Sequence, residues 1–331
     1  MTEIKTKTKA KKSSLKLQQV FNKKTLIGGM VSIFRWIFLL SVGYIILYPL
    51  FAMIAFSIMN KNDIVDTSVT WISKAPSFEG YKMAWKILEY PRSFMNTVVV
   101  HGVSAVLEIF SCAIAAYGFS RFEFKGKNLL FGLVLLTAIV PVQILVIPLY
   151  INYSYFDVLG ILKLFYNITG MEPVYLDLTG TPFTFWLPSL FGVGLRSGIF
   201  IFIYRQFFLG LPKELEEASW IDGCGPLKTF LKIVIPSSGV VFLTVTIFSI
   251  IWHWNEYYQS VIFFNSDMPL SVKLAGIRSA AYSMEGSGYS ELMAGPVISS
   301  GCLLFIAPML IMFLVLQRKF IQSIDRVGIV G

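Results

Sequence analysis

Residues 209–236 read LGLPKELEEASWIDGCGPLKTFLKIVIP. Pro212 suits the first position of a helix, where its missing N–H has no intrahelical partner to lose. Glu214, Glu216 and Glu217 follow in the first turns, where the helix dipole favours anions. The run Asp222-Gly223-Cys224-Gly225 stops that helix, and Pro226 starts another. Leu227, Phe230, Leu231 and Val234 recur at spacings of three, one and three, which predicts a single apolar face on the second short helix. Lys228 and Lys232 stand four apart on another face. Two short amphipathic helices joined by a glycine hinge are therefore expected. A pair lying on lipid is one reading. Three glutamates and an aspartate would then be held against an anionic leaflet that repels them, so a basic protein partner fits better.

The sequence on either side of this segment is far more apolar. Residues 36–60 carry no charge, 93–120 carry only Glu108, and 128–156 carry none. Residues 183–204 carry only Arg196. Residues 233–255 carry none, with apolar character continuing past Glu256 to Phe264, and 292–317 carry none. A helix needs about 20 apolar residues to cross a hydrocarbon core of about 30 Å, and in lipid it satisfies its own backbone. Six spans are expected, at about 36–59, 94–120, 128–153, 184–208, 236–264 and 294–317. The whole composition agrees. The chain has 331 residues, 55% hydrophobic and only 14% charged, where soluble proteins carry about 25% charged residues. These figures exclude a disordered chain and argue against a soluble enzyme. Cys112, Cys224 and Cys302 are too scattered for a disulfide framework or a metal knuckle, and two histidines are too few for most His-rich metal sites.

Lys and Arg set the orientation. The tail 1–35, the segments after the second and fourth spans, and the tail 318–331 together carry nineteen basic residues, and the opposite loops carry eight. Both termini are therefore expected in the cytoplasm, and 209–236 with them. The low-complexity tail (KTKTKAKKSSLK) is expected to be disordered. It reads as a topology determinant, with contact to anionic lipid the alternative. No stretch outside the spans is long enough for a soluble domain of its own, and no nucleic-acid partner is expected.

With the flanking spans in place, 209–236 resembles the EAA loop of ABC importer permeases, whose pattern is E-A-A-x3-G-x9-I-x-L-P. Here Glu217-Ala218-Ser219 is followed by three residues, Gly223, nine residues, and Ile233-Val234-Ile235-Pro236. Ser219 and Ile235 are mild departures in size. Ala116-Tyr117-Gly118-Phe119-Ser120-Arg121 and the proline-bearing stretch IVPVQILVIPLY are similar to the family as well, and Trp254-Asn255-Glu256-Tyr257 resembles a segment of maltose-type carbohydrate-uptake permeases. The resemblance implies an all-α membrane fold with a cytoplasmic coupling helix pair between the fourth and fifth spans. It implies a bacterial plasma-membrane subunit that pairs with a second permease, a related chain, and with two ATPase subunits. An external binding protein delivers the sugar. Glu214, Glu217, Ala218, Ser219, Asp222, Gly223, Ile233 and Pro236 would form the contact with the ATPase, Glu217 meeting a basic residue there.

No G-x4-G-K-[ST] sequence is present, so this chain has no P-loop; ATP and Mg²⁺ are expected in the partner, and no cofactor in the chain itself. Within the spans, polar residues fall on helical stripes: His101, Ser104, Glu108 and Ser111 on the second, and Ser249, His253, Glu256 and Ser260 on the fifth. Ionisable groups inside a membrane are functional candidates. His101, Glu108, Ser249, His253, Asn255 and Glu256 are therefore candidates for a solute path, with an interhelical hydrogen-bond network as the other reading. Arg196 is expected to pair with Glu108 or Glu256, or to stand at the outer mouth. A permease of this class for a non-sugar solute is the alternative function. A stand-alone carrier should show an internal repeat of broken helices, and none is seen.

Overall fold

The computed structural model describes residues 2–170, 175–283 and 294–328, with side chains for 28–158, 160–170, 175–283 and 294–317. Among these residues the only β pairing is a single bridge between Phe156 and Leu176. Everything else that is regular is helical.

Helix α1 (Thr2–Ser57) starts in the basic tail. The expected disorder of that tail is not what the structure shows. No proline or glycine interrupts it before Gly28, and its lysines, alanine, leucines and glutamines are good helix formers. The short helices α2 (Lys61–Val65) and α3 (Glu79–Ile87) follow. Helix α4 (Tyr90–Thr97) passes through a π-helical turn, Val98–Gly102, into α5 (Val103–Arg121). Together Tyr90–Arg121 is long and apolar enough to cross a membrane, as are Gly28–Ser57 of α1 and Ala294–Gln317 of the last helix.

The other predicted spans are bent or broken. Helices α6 (Lys127–Ile139) and α7 (Val142–Ser154) meet at 103°. The bend lies at Pro141, which caps α7 in extended conformation and has no N–H to continue α6. Helix α8 (Ile161–Thr169) follows. The fourth predicted span is two pieces, α9 (Phe183–Leu190) and α10 (Ser197–Leu209). Gly192 and Arg196, at φ 68° and 65°, turn the chain between them. Thirteen residues make α10 about 20 Å long, short of a full crossing by itself. Then come α11 (Glu214–Ile221), α12 (Pro226–Thr229), a π-helical turn at Phe230–Val234 and α13 (Ile235–Ser237). Helix α14 (Gly239–Trp254) leaves that segment at 83°, and α15 (Tyr258–Phe263) continues it after a break. Helices α16 (Leu270–Ala275) and α17 (Ile277–Ser283) precede the long α18 (Ala294–Gly328). Among the described residues, three continuous apolar helices, or up to five if each bent pair is one span, stand where six were expected.

Helix α5 is the centre of the bundle and packs on α9, α10 and α14. Its inward face carries Cys112, Ala113 and Ala116, all fully buried, which let Phe200, Tyr204 and Phe208 of α10 approach closely. Helix α10 in turn lies tight on α6: a Cβ on Gly198 would stand 2.6 Å from the Val134 carbonyl oxygen. At the end away from residues 209–236, Lys273 bonds Glu89 at 2.8 Å and Arg92 pairs with Asp267, tying the α3–α4 corner to α16. The hydrogen bond and charge of Lys273 hold the Glu89 carboxyl below its ordinary value of 4.5. Helix α1 packs on α18, yet Trp36, Ile45 and Ile46 are largely exposed, as side chains meant for lipid or another subunit are.

Candidate functional site

The segment quoted at the outset folds as two short helices with a hinge. Helix α11 ends in a Schellman motif: Cys224 N–H donates to Ser219 O at 2.9 Å and Gly223 N–H to Trp220 O at 3.0 Å. Gly223 sits at φ 78°, where a side chain is strained even though the surrounding space is open. Pro226 opens α12. The Ser219 hydroxyl reaches the Thr229 hydroxyl at 2.7 Å, and both are buried, so the two halves are stitched together.

The three glutamates do not share a face. Glu214 and Glu217 are exposed, with Ala218 and Asp222 beside them. Glu216 is buried: its Oε2 accepts from the Tyr117 hydroxyl at 3.0 Å and its Oε1 lies 2.5 Å from Arg121 Nε. That approach is off the N–H axis, so it acts as an ion pair rather than a directional hydrogen bond. The expectation of three glutamates on the cytoplasmic face is corrected to two. The reason is the 3.6-residue period, which turns Glu216 toward the end of α5. The apolar face predicted for the second helix is also divided. Phe230 and Val234 are buried, whereas Leu227 and Leu231 are exposed. The wider π turn at Phe230–Val234 keeps residues four apart in register and rotates the others away. Ile233 is half-buried and Pro236 exposed. The exposed residues therefore include Glu214, Glu217 and Asp222 together with Leu215, Trp220, Ile221 and Leu227, with Ile221 87% exposed.

The two polar stripes meet each other in the interior of the chain. Glu108 on α5 is fully buried; it accepts from Ser197 at 2.6 Å and contacts His253 Nε2 at 2.9 Å, with Ser249 at 3.4 Å. His101 contacts Ser260 at 3.1 Å, and its ring lies 6.1 Å from that of His253. Ser104 is buried within the same stripe. Five elements are thus joined through one buried cluster: α5 and the π turn before it, the N-terminus of α10, α14 and α15. The break between α9 and α10 serves this geometry, because a Cβ on Gly194 would stand 3.1 Å from Glu108 Oε1. Glu256 is buried too, accepting from Gln259 N–H at 2.7 Å, while Asn255 is exposed at the end of α14. Arg196 pairs with neither Glu108 nor Glu256; its guanidinium lies 5.8 Å from the Trp252 ring centroid.

A cavity of about 570 Å³ opens between the bent α6–α7 pair and the broken α9–α10 pair. Leu133, Val134 and Leu145 line it, with Thr137, Arg196 and Gln259 among its polar points. Ser197 also lines it and donates to Glu108. The buried cluster thus lies one layer behind the cavity wall. Sequence reasoning passed over Gln259 and the Tyr117–Arg121–Glu216 group. The only signal for the latter was the four-residue spacing of Tyr117 and Arg121 in a motif already noted.

Comparison with known proteins supplies the lineage. Residues 109–326 match the family model described as "Binding-protein-dependent transport system inner membrane component". The chain is 32% identical, over 89% of its length and 88% of the other's, to the "Probable ABC transporter permease protein YurM" of Bacillus subtilis (strain 168). It is 30% identical to the "Melibiose/raffinose/stachyose import permease protein MelC" of the same organism, over 86% of this chain and 91% of that one. It is 26% identical to the "Arabinooligosaccharides transport system permease protein AraQ", again of Bacillus subtilis (strain 168), over 89% and 94%. In fold it is similar to a bacterial ABC transporter involved in the import of the acidic polysaccharide alginate, with a TM-score of 0.66 at 19% identity, over 88% of this chain and 96% of that one. With an all-helical membrane fold, a match across two thirds of its length and relatives aligned over almost all of it, the chain belongs to the family of binding-protein-dependent transport system inner membrane components.

Proposed function

We propose that the chain is one permease subunit of an ATP-driven importer for a sugar or oligosaccharide handed over by an external binding protein. The observation that carries this reading is the outer surface of residues 209–236. Two glutamates and an aspartate share this segment with leucine, tryptophan and isoleucine side chains that stay exposed among the described residues. Such a patch beside spans suits a docking surface, and in this reading its occupant is an ATPase subunit that binds ATP and Mg²⁺. The class of solute rests on relatives named for melibiose, raffinose, stachyose and arabinooligosaccharides.

In this reading the fourth span is α9 with α10, and the bent pairs supply the third and fifth. Six crossings then place both termini and the docking surface in the cytoplasm, and a second permease completes the path. Glu108 and His253 hold the wall of the route, and solute passes on the side of Arg196 and Gln259. The test is uptake by the reconstituted assembly. Glu217→Lys should insert normally, lose the co-purifying ATPase and lose uptake. Gly223→Val should lose uptake through strain at the hinge. Full transport by both would remove the loop from the coupling role and overturn the reading.

A further inference from the structure

We infer that Glu216, Arg121 and Tyr117 form a rigid joint that makes the cytoplasmic loop and α5 move as one body, so that Glu216 is a positioning residue and not a docking one. The inference rests on the coupling role proposed above for residues 209–236.

The joint is built from four pieces of chain. The side chains of Arg121 and Glu216 are only 6% and 5% exposed, at a separation of 2.5 Å. Arg121 Nη2 also donates to Leu211 O at 2.9 Å, which fixes the linker between α10 and α11. The Tyr117 hydroxyl donates to the other Glu216 oxygen, while its ring packs on Phe230 at 4.9 Å and stands edge-on to Phe208 at 6.3 Å. Ser219 and Thr229 close the group by joining α11 to α12. A buried ion pair needs its remaining hydrogen-bonding capacity satisfied to hold, and losing one partner leaves an uncompensated charge. Here Leu211 O takes Arg121 Nη2 and Tyr117 takes Glu216 Oε2, while Nε and Oε1 have only each other's charge; the pair therefore depends on its present arrangement and resists shear.

The other end of α5 shows why such a joint matters. Glu108 lies thirteen residues before Arg121 on one uninterrupted helix, about 20 Å away along its axis. It bonds Ser197 of α10 and His253 of α14. A push on α11 is thus carried by α5 to the elements that frame the cavity. A loop attached only through its chain links at 210–213 and 238 would absorb that push locally.

The experiment uses the complete assembly in vesicles, with ATP hydrolysed per solute imported as the readout. Glu216→Gln should keep normal co-purification of the ATPase, because Glu216 does not face outward, yet raise the ratio several-fold. Arg121→Gln combined with Glu216→Gln removes both charges together and should return the ratio toward that of the wild type. Tyr117→Phe deletes one hydrogen bond and buries no unpaired charge, so it covers the case in which Glu216→Gln fails to fold; it should raise the ratio in the same direction. An unchanged ratio in the folded single variants overturns the joint. So does loss of the ATPase from the Glu216→Gln complex, which would place Glu216 in the docking contact. A role in stability alone would lower yield and leave the ratio constant, which also overturns it. Failure of the underlying functional reading looks different: the wild-type chain itself would bring down no ATPase.

Discussion

Glu108→Ala separates a path residue from a structural one. The substitution removes a carboxyl that Ser197 meets at 2.6 Å, His253 at 2.9 Å and Ser249 at 3.4 Å, all inside the bundle. Interhelical hydrogen bonds in membranes contribute about 0.6 kcal/mol on average, and bonds to a charged group about 1.5–3 kcal/mol. The two short bonds therefore bracket the loss between about 1 and about 6 kcal/mol, with the long Ser249 contact adding little. The upper half of that range is favoured, since the alanine also strands a buried imidazole and a buried hydroxyl whose desolvation is no longer compensated. Glu108→Gln keeps the shape and most of the acceptor geometry, so its loss should be the smaller. The assay is denaturation of the purified assembly in mixed micelles, run as a double-mutant cycle with His253→Ala. Coupling above about 0.5 kcal/mol marks a direct interaction between the two sites. A Glu108→Ala protein of unchanged stability that nevertheless fails to transport would refute the wall role and return Glu108 to the solute path.

Gly198→Ala should destabilise by about 1–3 kcal/mol, because its Cβ would lie 2.6 Å from Val134 O and 2.7 Å from Thr137 Oγ1; Gly132→Ala, with nothing within 4 Å, is the control. Unfolding midpoints of the two variants check this. The lowered pKa of Glu89 means that its pairing with Lys273 stabilises the fold above the ordinary carboxylate value of 4.5 and is lost as pH falls through the lowered one. Lys273→Met should therefore flatten the acid limb of a melting-temperature profile, and an unaltered profile would show that the pair contributes nothing. A reporter fused after Gly331 should signal cytoplasm and one inserted near Thr169 the exterior; reversed signals would reject the orientation.

Much of this protein was legible before any coordinates. Charge-free runs located the apolar helices, because an unpaired charge in hydrocarbon is costly enough to empty those stretches of Lys, Arg, Asp and Glu. The spacing from Glu217 through Gly223 to Pro236 found the loop, and the helix stop at Asp222–Gly225 is a local matter of backbone conformation that residue type decides. The two polar stripes were visible as periodicities. What they faced was not, since a period shows which residues share a face and not what that face meets.

Tertiary packing decided the rest. The six predicted crossings rested on length and hydropathy, and neither registers a bend: α6 turns 103° at Pro141, and α9 and α10 part so that Gly194 and Ser197 can close on Glu108. Glu214, Glu216 and Glu217 are chemically alike in sequence. Only the position of Arg121, at the far end of another helix, makes one of them internal and leaves two exposed. Arg196 found an aromatic ring instead of either carboxylate for the same reason: Glu108 already had His253, which lies 145 residues away along the chain. Composition and period act on neighbours within a few residues, whereas the pairing of buried charges is settled between elements that meet only when the bundle closes.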